Sequence, residues 1–172
     1  VRGSKTVMAN EASRAAASTT AQIVWDTADK YLRNVVEPQE YGDYILPFTV
    51  LRRLECLLED TKDDVIKFVK AQGDMPSYLI DIAVSNRFGL SFFNTSQLNL
   101  ARIASVDDNV DRALLRYVNG FSHNIADIWT AFEFPKLVAK LSAANRLLEV
   151  VKHFSTLSLG STSVEDSTMG DI

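Results

Sequence analysis

The segment from Gln39 to Glu59 constrains the fold of this chain more than any other part of the sequence. Its first half has almost no polar face, and its apolar side chains recur at helical spacing: Tyr41, Tyr44, Ile45, Phe48, Val50, Leu51, Leu54, Leu57 and Leu58. A helix that is apolar around most of its circumference must be covered by other elements on several sides. The segment therefore predicts a central helix, around which the rest of the chain packs.

The other periodic segments are also typical of helices. Ile125, Ile128, Trp129 and Phe132 follow the i, i+3, i+4, i+7 rule and give the clearest amphipathic signature in the chain. Such apolar faces predict that Trp25 and Trp129 both belong to the core. Helices are predicted over 19–33, 39–59, from Thr61, from Pro76 to Asn86, from Thr95 or Ser96 to Ala104, from Ser105 to Gly120, from Asn124, and over 134–156 with a break near 143–145.

One short stretch has the pattern of extended structure. Leu90 to Phe93 is apolar and lies between Gly89 and Asn94, which is typical of an extended segment or a small hairpin arm. The chain has only 7 glycines and 4 prolines, so a turn-rich β architecture is not expected. The sequence predicts an all-α, multi-helix, bundle-like domain with at most a short β-hairpin near residues 88–94.

Three regions are predicted along the 172 residues, a length that fits one domain. Residues 1–18 are polar and rich in Ala, Ser and Thr, and we expect a disordered or cloning-derived segment there. Residues 19–157 are expected to form the helical domain. Residues 158–172 turn polar and acidic, and we expect them to be a linker.

The cysteine count and the hydropathy pattern indicate the compartment. A single cysteine, Cys56, excludes an internal disulfide and favours a reducing, cytoplasmic setting. No stretch approaches the roughly 18 consecutive apolar residues that a membrane span needs. We therefore expect a cytoplasmic protein that has no membrane partner.

The usual motifs of catalytic and cofactor sites are missing from the sequence. The glycines lie too far apart for a Gly-x-Gly turn or a phosphate loop, and no two prolines are adjacent. His123 and His153 are distant from each other, and Cys56 is the only thiol, so no compact set of zinc ligands is indicated. We predict no catalytic, cofactor-binding or metal-binding residue in this chain.

Five stretches carry a resemblance to a known family through their order and spacing. They are Ile23–Asp29, Glu37–Leu54, Asn86–Ser96, Tyr117–Ile128 and Thr168–Ile172. Together they resemble the N-terminal helical domain of the modification (methyltransferase, or M) subunit of type I restriction-modification systems. Each stretch is short, but the set spans nearly the whole chain from residue 20 onward.

The resemblance implies a non-catalytic part of a larger DNA methyltransferase. In this family a methyltransferase domain follows, which binds S-adenosylmethionine through a Gly-rich loop and methylates the N6 of an adenine that is flipped out of the duplex. Its Asn-Pro-Pro-Phe/Tyr motif, which holds the adenine, is missing here together with the Gly-rich loop. We therefore expect no cofactor in this fragment, S-adenosylmethionine in the full-length protein, and residues 158–172 leading into the methyltransferase domain.

The resemblance also implies partners. In this family two modification subunits assemble with one specificity subunit, the restriction subunit can join them, and the helical domains help to close the complex around DNA. The expected setting is the cytoplasm of a bacterium or an archaeon.

Contacts to DNA phosphates require Lys or Arg side chains, or amide and hydroxyl donors at turns. Such residues are the candidates for contact with DNA or with other subunits: Lys30, Arg33, Arg52, Arg53, Arg87 and Asn94. The alternative for each is a solvated or salt-bridged helix face, and for Arg52 or Arg53 a pairing with Glu55 or Glu59. The net charge of −4 predicts weak DNA affinity for this domain in isolation.

A second class of function stays open at this point. A helical protein-interaction module that stands alone, without any link to methylation, would also lack catalytic motifs. The sequence that follows Ile172 in the gene distinguishes the two hypotheses, because only a methyltransferase subunit continues into the Gly-rich loop and the Asn-Pro-Pro-Phe/Tyr motif.

Overall fold

The computed structural model describes residue 22 and residues 24–106 and 108–159, and the regular structure in these ranges is helical. We number the helices in chain order: α1 over 24–32, α2 Tyr41–Leu58, α3 Lys62–Ala71, α4 Ser77–Phe88, α5 Leu100–Val106, α6 Val110–Asn119, α7 Ala126–Ala131, α8 Phe134–Ala143 and α9 Leu147–Ser155. Short 3-10 turns at Pro38–Glu40 and His123–Ile125 lead into α2 and α7. The predicted all-α class is confirmed.

Helix α2 lies in the middle of the main core, as its apolar sequence predicts. Ile45, Phe48 and Leu51 have no exposed surface. The ring of Phe48 lies 5.7 Å from that of Phe134 in α8 and 5.8 Å from that of Phe154 in α9, measured between centroids. Burying each such side chain stabilises the fold by roughly 1.5–3 kcal/mol, so this three-ring contact is a principal link between α2, α8 and α9.

Helix α9 completes the main core. It packs against α5, α2, α8 and α6. Val150 and Val151 are fully buried on α9, and Leu100 of α5 is buried opposite them in the same apolar cluster. The last described helix is therefore in contact with four earlier helices.

Helices α3 and α4 pack against each other and, together with Phe93 of the loop that follows, form what we call the α3–α4 arm. The arm has a small apolar cluster of its own, whose buried members are Val65, Val84 and Phe93. Its outer surface carries three exposed apolar side chains on α4: Tyr78, Leu79 and Ile82. The arm thus buries fewer apolar residues than the main core.

The sequence allowed a short β-hairpin near residues 88–94, and none is present among the residues that the structure describes. Gly89 ends α4 in the left-handed region at φ +69°, where a residue without a Cβ is favoured. The chain then pairs with a distant loop, because the Ser122 amide donates to the Phe93 carbonyl at 2.7 Å. Asn94 and Phe121 form an isolated antiparallel bridge at this point.

Two predicted helix boundaries have different outcomes. The break expected near 143–145 is confirmed: α8 ends at Ala143, and Asn145 takes a left-handed φ of 58° before α9 begins. The predicted start of α5 at Thr95 or Ser96 is wrong. The helix begins at Leu100, because the Asn99 side chain is the one that accepts a first-turn amide, that of Arg102 at 2.7 Å.

The two tryptophans also differ in outcome. Trp129 is buried at 6% exposure, as predicted, with its ring 5.3 Å from that of Phe121. Trp25 was predicted to lie in the core, and this is wrong: it is 53% exposed and touches only the edge of the bundle, 5.7 Å from the ring of Tyr41. The adjacent Thr27 and Ala28 occupy the buried face of α1 instead.

Candidate functional site

The six residues that the sequence proposes as contacts fall into two groups in the structure. Arg53 and Asn94 are buried at 4% and 2% exposure, and the Arg52 side chain is 14% exposed. The exposed members are Lys30, Arg33 and Arg87. The structure therefore does not bring the six together into one surface.

The two consecutive arginines of α2 bind the last described segment of the chain. Arg52 donates from Nε to the Leu157 carbonyl at 2.7 Å, and Arg53 donates from a guanidinium nitrogen to the Leu159 carbonyl at 2.6 Å. The Arg52 guanidinium also pairs with the Glu55 carboxylate, so the predicted pairing of one of these arginines with Glu55 is confirmed. Both guanidinium groups are engaged inside the fold.

Glu55 is the centre of a buried polar network that sequence reasoning missed. Besides Arg52, its carboxylate accepts hydrogen bonds from the Leu100 amide at 2.9 Å and from the Tyr117 hydroxyl at 2.7 Å. Burial and the neighbouring Glu55 carboxylate raise the pKa of Tyr117 well above its ordinary value, so the hydroxyl stays protonated and donates. The network joins α2 to the start of α5 and to α6.

Lys62 adds a cation beside this network. Its ammonium lies 4.9 Å from the centroid of the Tyr117 ring and donates to the Leu98 carbonyl. Desolvation by burial lowers the pKa of Lys62, while the Glu55 carboxylate opposes that shift. No periodic signal marks Glu55 or Lys62 in the sequence, since each partner comes from a distant element.

Asn94 has a local structural role in the observed geometry. Its side-chain amide donates to the Tyr117 carbonyl at 2.9 Å, and its Oδ1 accepts from the Ser96 amide at 2.7 Å. These bonds hold the loop before α5 against the end of α6. The loop and the end of α6 lie so close together that a Cβ on Gly120 would be 2.8 Å from the Cβ of Ser96 and 2.9 Å from Asn94 Oδ1.

The exposed cations differ in how they are held. Arg33 pairs with Asp29 at 2.6 Å on the surface of α1, and the Lys30 ammonium lies 5.3 Å from the centroid of the Tyr31 ring. Surface ion pairs of this kind contribute about 0–1 kcal/mol, so the Arg33 pair is easily exchanged for another anion.

Arg87 stands on an aromatic platform in the α3–α4 arm. Its guanidinium carbon lies 5.7 Å from the ring centroid of Phe68 and 5.8 Å from that of Phe88. A groove of about 370 Å³ runs beside it, and Asp64 and Lys67 complete the lining. Neither Arg87 nor Lys67 forms an ion pair with a carboxylate among the residues that the structure describes.

Another groove lies between the first half of α2 and helices α7 and α8. Its volume is about 500 Å³, and its lining mixes acidic with basic side chains around Tyr44 and Phe132. Glu40, Asp43 and Glu133 supply the acids, and the Lys140 ammonium lies 5.7 Å from the centroid of the Tyr44 ring. The mixture of charges favours neither an anionic nor a cationic ligand.

The two histidines have separate environments. His123 is exposed in the turn before α7, and His153 shares a 2.7 Å hydrogen bond between its Nε2 and the Thr27 hydroxyl. Desolvation, followed by the nearby Lys30 ammonium, lowers the pKa of His153. Across the described part of the chain, no three His, Cys, Asp or Glu side chains are grouped as metal ligands would be.

The described part of the chain is thus an all-α domain whose buried polar groups are engaged within the fold and whose candidate contact residues do not form one surface. No helix in that part is long and apolar enough to cross a membrane. The family model of the HsdM N-terminal domain matches residues 20–154, which is more than half of the chain. The chain therefore belongs to this family, the N-terminal domains of type I restriction-modification M subunits. Comparisons with curated proteins and with solved structures give no match.

Proposed function

We propose that this chain is the non-catalytic N-terminal part of an adenine-specific type I DNA methyltransferase subunit, and that it helps to assemble the complex and to clamp DNA. The observation that carries the proposal is the family match over residues 20–154. The expected partners are the specificity subunit, a second M subunit, DNA in the assembled complex and, in the complete system, the restriction subunit. The expected compartment is the cytoplasm.

In this proposal the methyl transfer itself takes place in the domain that follows in the family. That domain supplies the S-adenosylmethionine site and the pocket for the flipped adenine. This chain contributes shape, subunit contacts and a few cations. Its net charge of −4 suits such an assisting role, because an acidic domain gains little from phosphate contact by itself.

Arg87 is the strongest phosphate-contact candidate among the exposed cations. The rings of Phe68 and Phe88 restrict its guanidinium, so that less conformational entropy is lost when it binds an anion. Lys67 lies in the same groove and adds a second positive charge. Lys30 and Arg33 rank lower, because Arg33 must first leave Asp29.

The test uses the assembled complex of M and specificity subunits with its target DNA. Arg87→Ala should weaken DNA binding about tenfold or less and reduce the salt dependence of log K by about one, as expected for the loss of one phosphate contact. Arg112→Ala on α6, which is also exposed, serves as the matched control and should leave both the affinity and its salt dependence unchanged. Equal behaviour of the two variants would remove Arg87 from the interface.

A second part of the test uses the isolated chain. We expect no strong gel shift with DNA at about 150 mM salt. Tight binding by the isolated chain would contradict the hypothesis that it clamps DNA only within the complex.

The alternative function is a stand-alone helical protein-interaction module. The exposed apolar side chains of Tyr78, Leu79 and Ile82 on α4 are the observation in its favour, because exposed apolar patches commonly mark interaction surfaces. The gene sequence after Ile172 decides between the two. An open frame that encodes a Gly-rich loop and an Asn-Pro-Pro-Phe/Tyr motif supports the methyltransferase subunit, and a stop codon supports the module.

A further inference from the structure

The segment that follows α9 lies against α2 for as far as the structure describes it. We call residues 157–159 the exit segment. Leu159 is only 7% exposed, although it follows the last helix that the structure describes, whereas Leu157 is half-buried and Ser158 is exposed. The buried Leu159 fixes the path of this segment across the surface of the domain, and residues of α2 contribute to that path.

Three side chains from one turn of α2 reach the exit segment. Arg52 and Arg53 donate to the carbonyls of Leu157 and Leu159 at 2.7 and 2.6 Å, and the thiol of Cys56 lies 4.0 Å from the Leu157 carbonyl. Hydrogen bonds from charged groups are roughly twice as strong as neutral ones. The two guanidinium groups are therefore the main anchors of the exit segment.

Arg52 is itself held in place from the other side. Its guanidinium pairs with Glu55, which also accepts from the Leu100 amide and the Tyr117 hydroxyl. A planar guanidinium with fixed partners on two sides has little freedom to turn. The direction of its Nε–H toward Leu157 is thus determined by α2, α5 and α6 together.

We infer that Arg52 and Arg53 are positioning residues, which fix the direction in which the chain leaves the helical domain. They act through the Leu157 and Leu159 carbonyls and so set the direction of the chain up to residue 159. This inference rests on the proposed function for one point only, namely that the following unit is the methyltransferase domain. It gives the two arginines a role different from the phosphate contact that the sequence suggests.

The first experiment needs only the 172-residue chain. In the double variant Arg52→Met/Arg53→Met, backbone order parameters of residues 157–159 should fall from about 0.85 to below about 0.6. Chymotrypsin cleavage after Leu157 and Leu159 should become at least tenfold faster. Arg112→Met/Arg116→Met on α6 is the matched control, since both of its arginines are exposed, and it should change neither value.

A rescue variant separates positioning from general stability. Arg53→Lys in the wild-type background keeps a charged donor near the Leu159 carbonyl, and it should retain most of the protection that Arg53→Met loses. Unchanged order of residues 157–159 in the double Met variant would overturn the inference. So would equal cleavage of Arg53→Lys and Arg53→Met.

A measurement on the wild-type chain keeps the inference testable if the Met variants do not fold. The Arg52 Nε–H should exchange slowly with solvent and show a nuclear Overhauser effect to the backbone of residues 157–158. A rapidly exchanging Nε–H without that effect would overturn the inference.

The second experiment uses the methyltransferase complex. The double Met variant should lower kcat for methylation severalfold and leave KM for S-adenosylmethionine unchanged, because the cofactor site belongs to the following domain. Weakened DNA binding with an ordered exit segment would instead assign the arginines to phosphate contact and overturn positioning. Failure of the proposed function would appear as a complex without methylation even in the wild type, whereas the order of residues 157–159 would remain measurable.

Discussion

The main core and the α3–α4 arm are both held together by buried apolar side chains, but the core contains many more of them. In the core, Phe48 is fully buried and contacts rings from two other helices. In the arm, the buried cluster has Val65, Val84 and Phe93 as its members. Regions with fewer buried apolar contacts open at lower free energy, so we expect the arm to be the less stable of the two.

The two regions also differ in the side chains that they leave available for a partner. The arm carries Arg87 on its aromatic platform and the exposed apolar side chains of α4, whereas the polar groups of the core are used to bind other parts of the same chain. Binding surfaces are commonly drawn from the less stable parts of a protein. The candidates for partner contact are therefore concentrated in the arm, the region with fewer buried apolar contacts.

The largest expected effect comes from breaking the core at its centre. Phe48→Ala removes the ring between Phe134 and Phe154 and should lower the free energy of unfolding by about 3–5 kcal/mol, because a cavity remains. Urea unfolding followed by circular dichroism measures this loss. A loss below about 1 kcal/mol would show that the core does not depend on this contact and would weaken the comparison.

The next-largest effect is expected from a change in the buried polar network of the core. Glu55→Gln keeps the size of the side chain but removes the charge opposite Arg52, and it should cost about 2–3 kcal/mol. Glu59→Gln, at an exposed position one turn later, is the matched control and should lie within about 0.5 kcal/mol of the wild type. Similar losses in the two variants would mean that the network contributes nothing specific.

A smaller effect is expected in the arm. Val84→Ala should cost about 1–2 kcal/mol, because it removes two methyl groups from a small cluster. Hydrogen exchange should locate the change: amides of α3 and α4 should exchange faster, and those of α9 should keep their rates. Equal acceleration in α4 and α9 would show that arm and core unfold as one unit, and the proposed contrast between them would be wrong.

The smallest effect concerns pH at the contact between α1 and α9. Burial and Lys30 hold the pKa of His153 below its ordinary value of 6.5 in the folded chain. Below pH 6.5 the unfolded chain therefore binds a proton at His153 more readily than the folded chain does. The contribution of neutral His153 to the free energy of unfolding is thus complete above pH 6.5 and declines as the pH falls through the folded pKa.

Urea titrations at pH 7.5 and 5.5 measure that dependence. His153→Gln should reduce the difference in stability between the two pH values, and His123→Gln, at an exposed position, should leave it as in the wild type. If the His153 variant kept the full difference, other groups would have to be its source.

Much of the fold could be predicted because it depends on local patterns. The periodicity of α2 and the left-handed break at Asn145 are encoded within a few residues of where they act. The candidate site was less predictable. Arg53 and Arg87 have the same side-chain chemistry in the sequence, but one is buried under the exit segment and the other stands exposed on two aromatic rings. No local signal distinguishes them.

The helical class, the central place of α2 and the family could all be predicted from periodicity and from the order of the motifs, which do not depend on knowledge of the packing. Which polar side chains stay accessible to a partner is fixed by the packing of distant segments. Arg52 meets a carbonyl 105 residues away, and Glu55 meets a hydroxyl 62 residues away. The exposure of a side chain depends on what distant segments place over it, and that information is held in the packing rather than in any neighbouring residue.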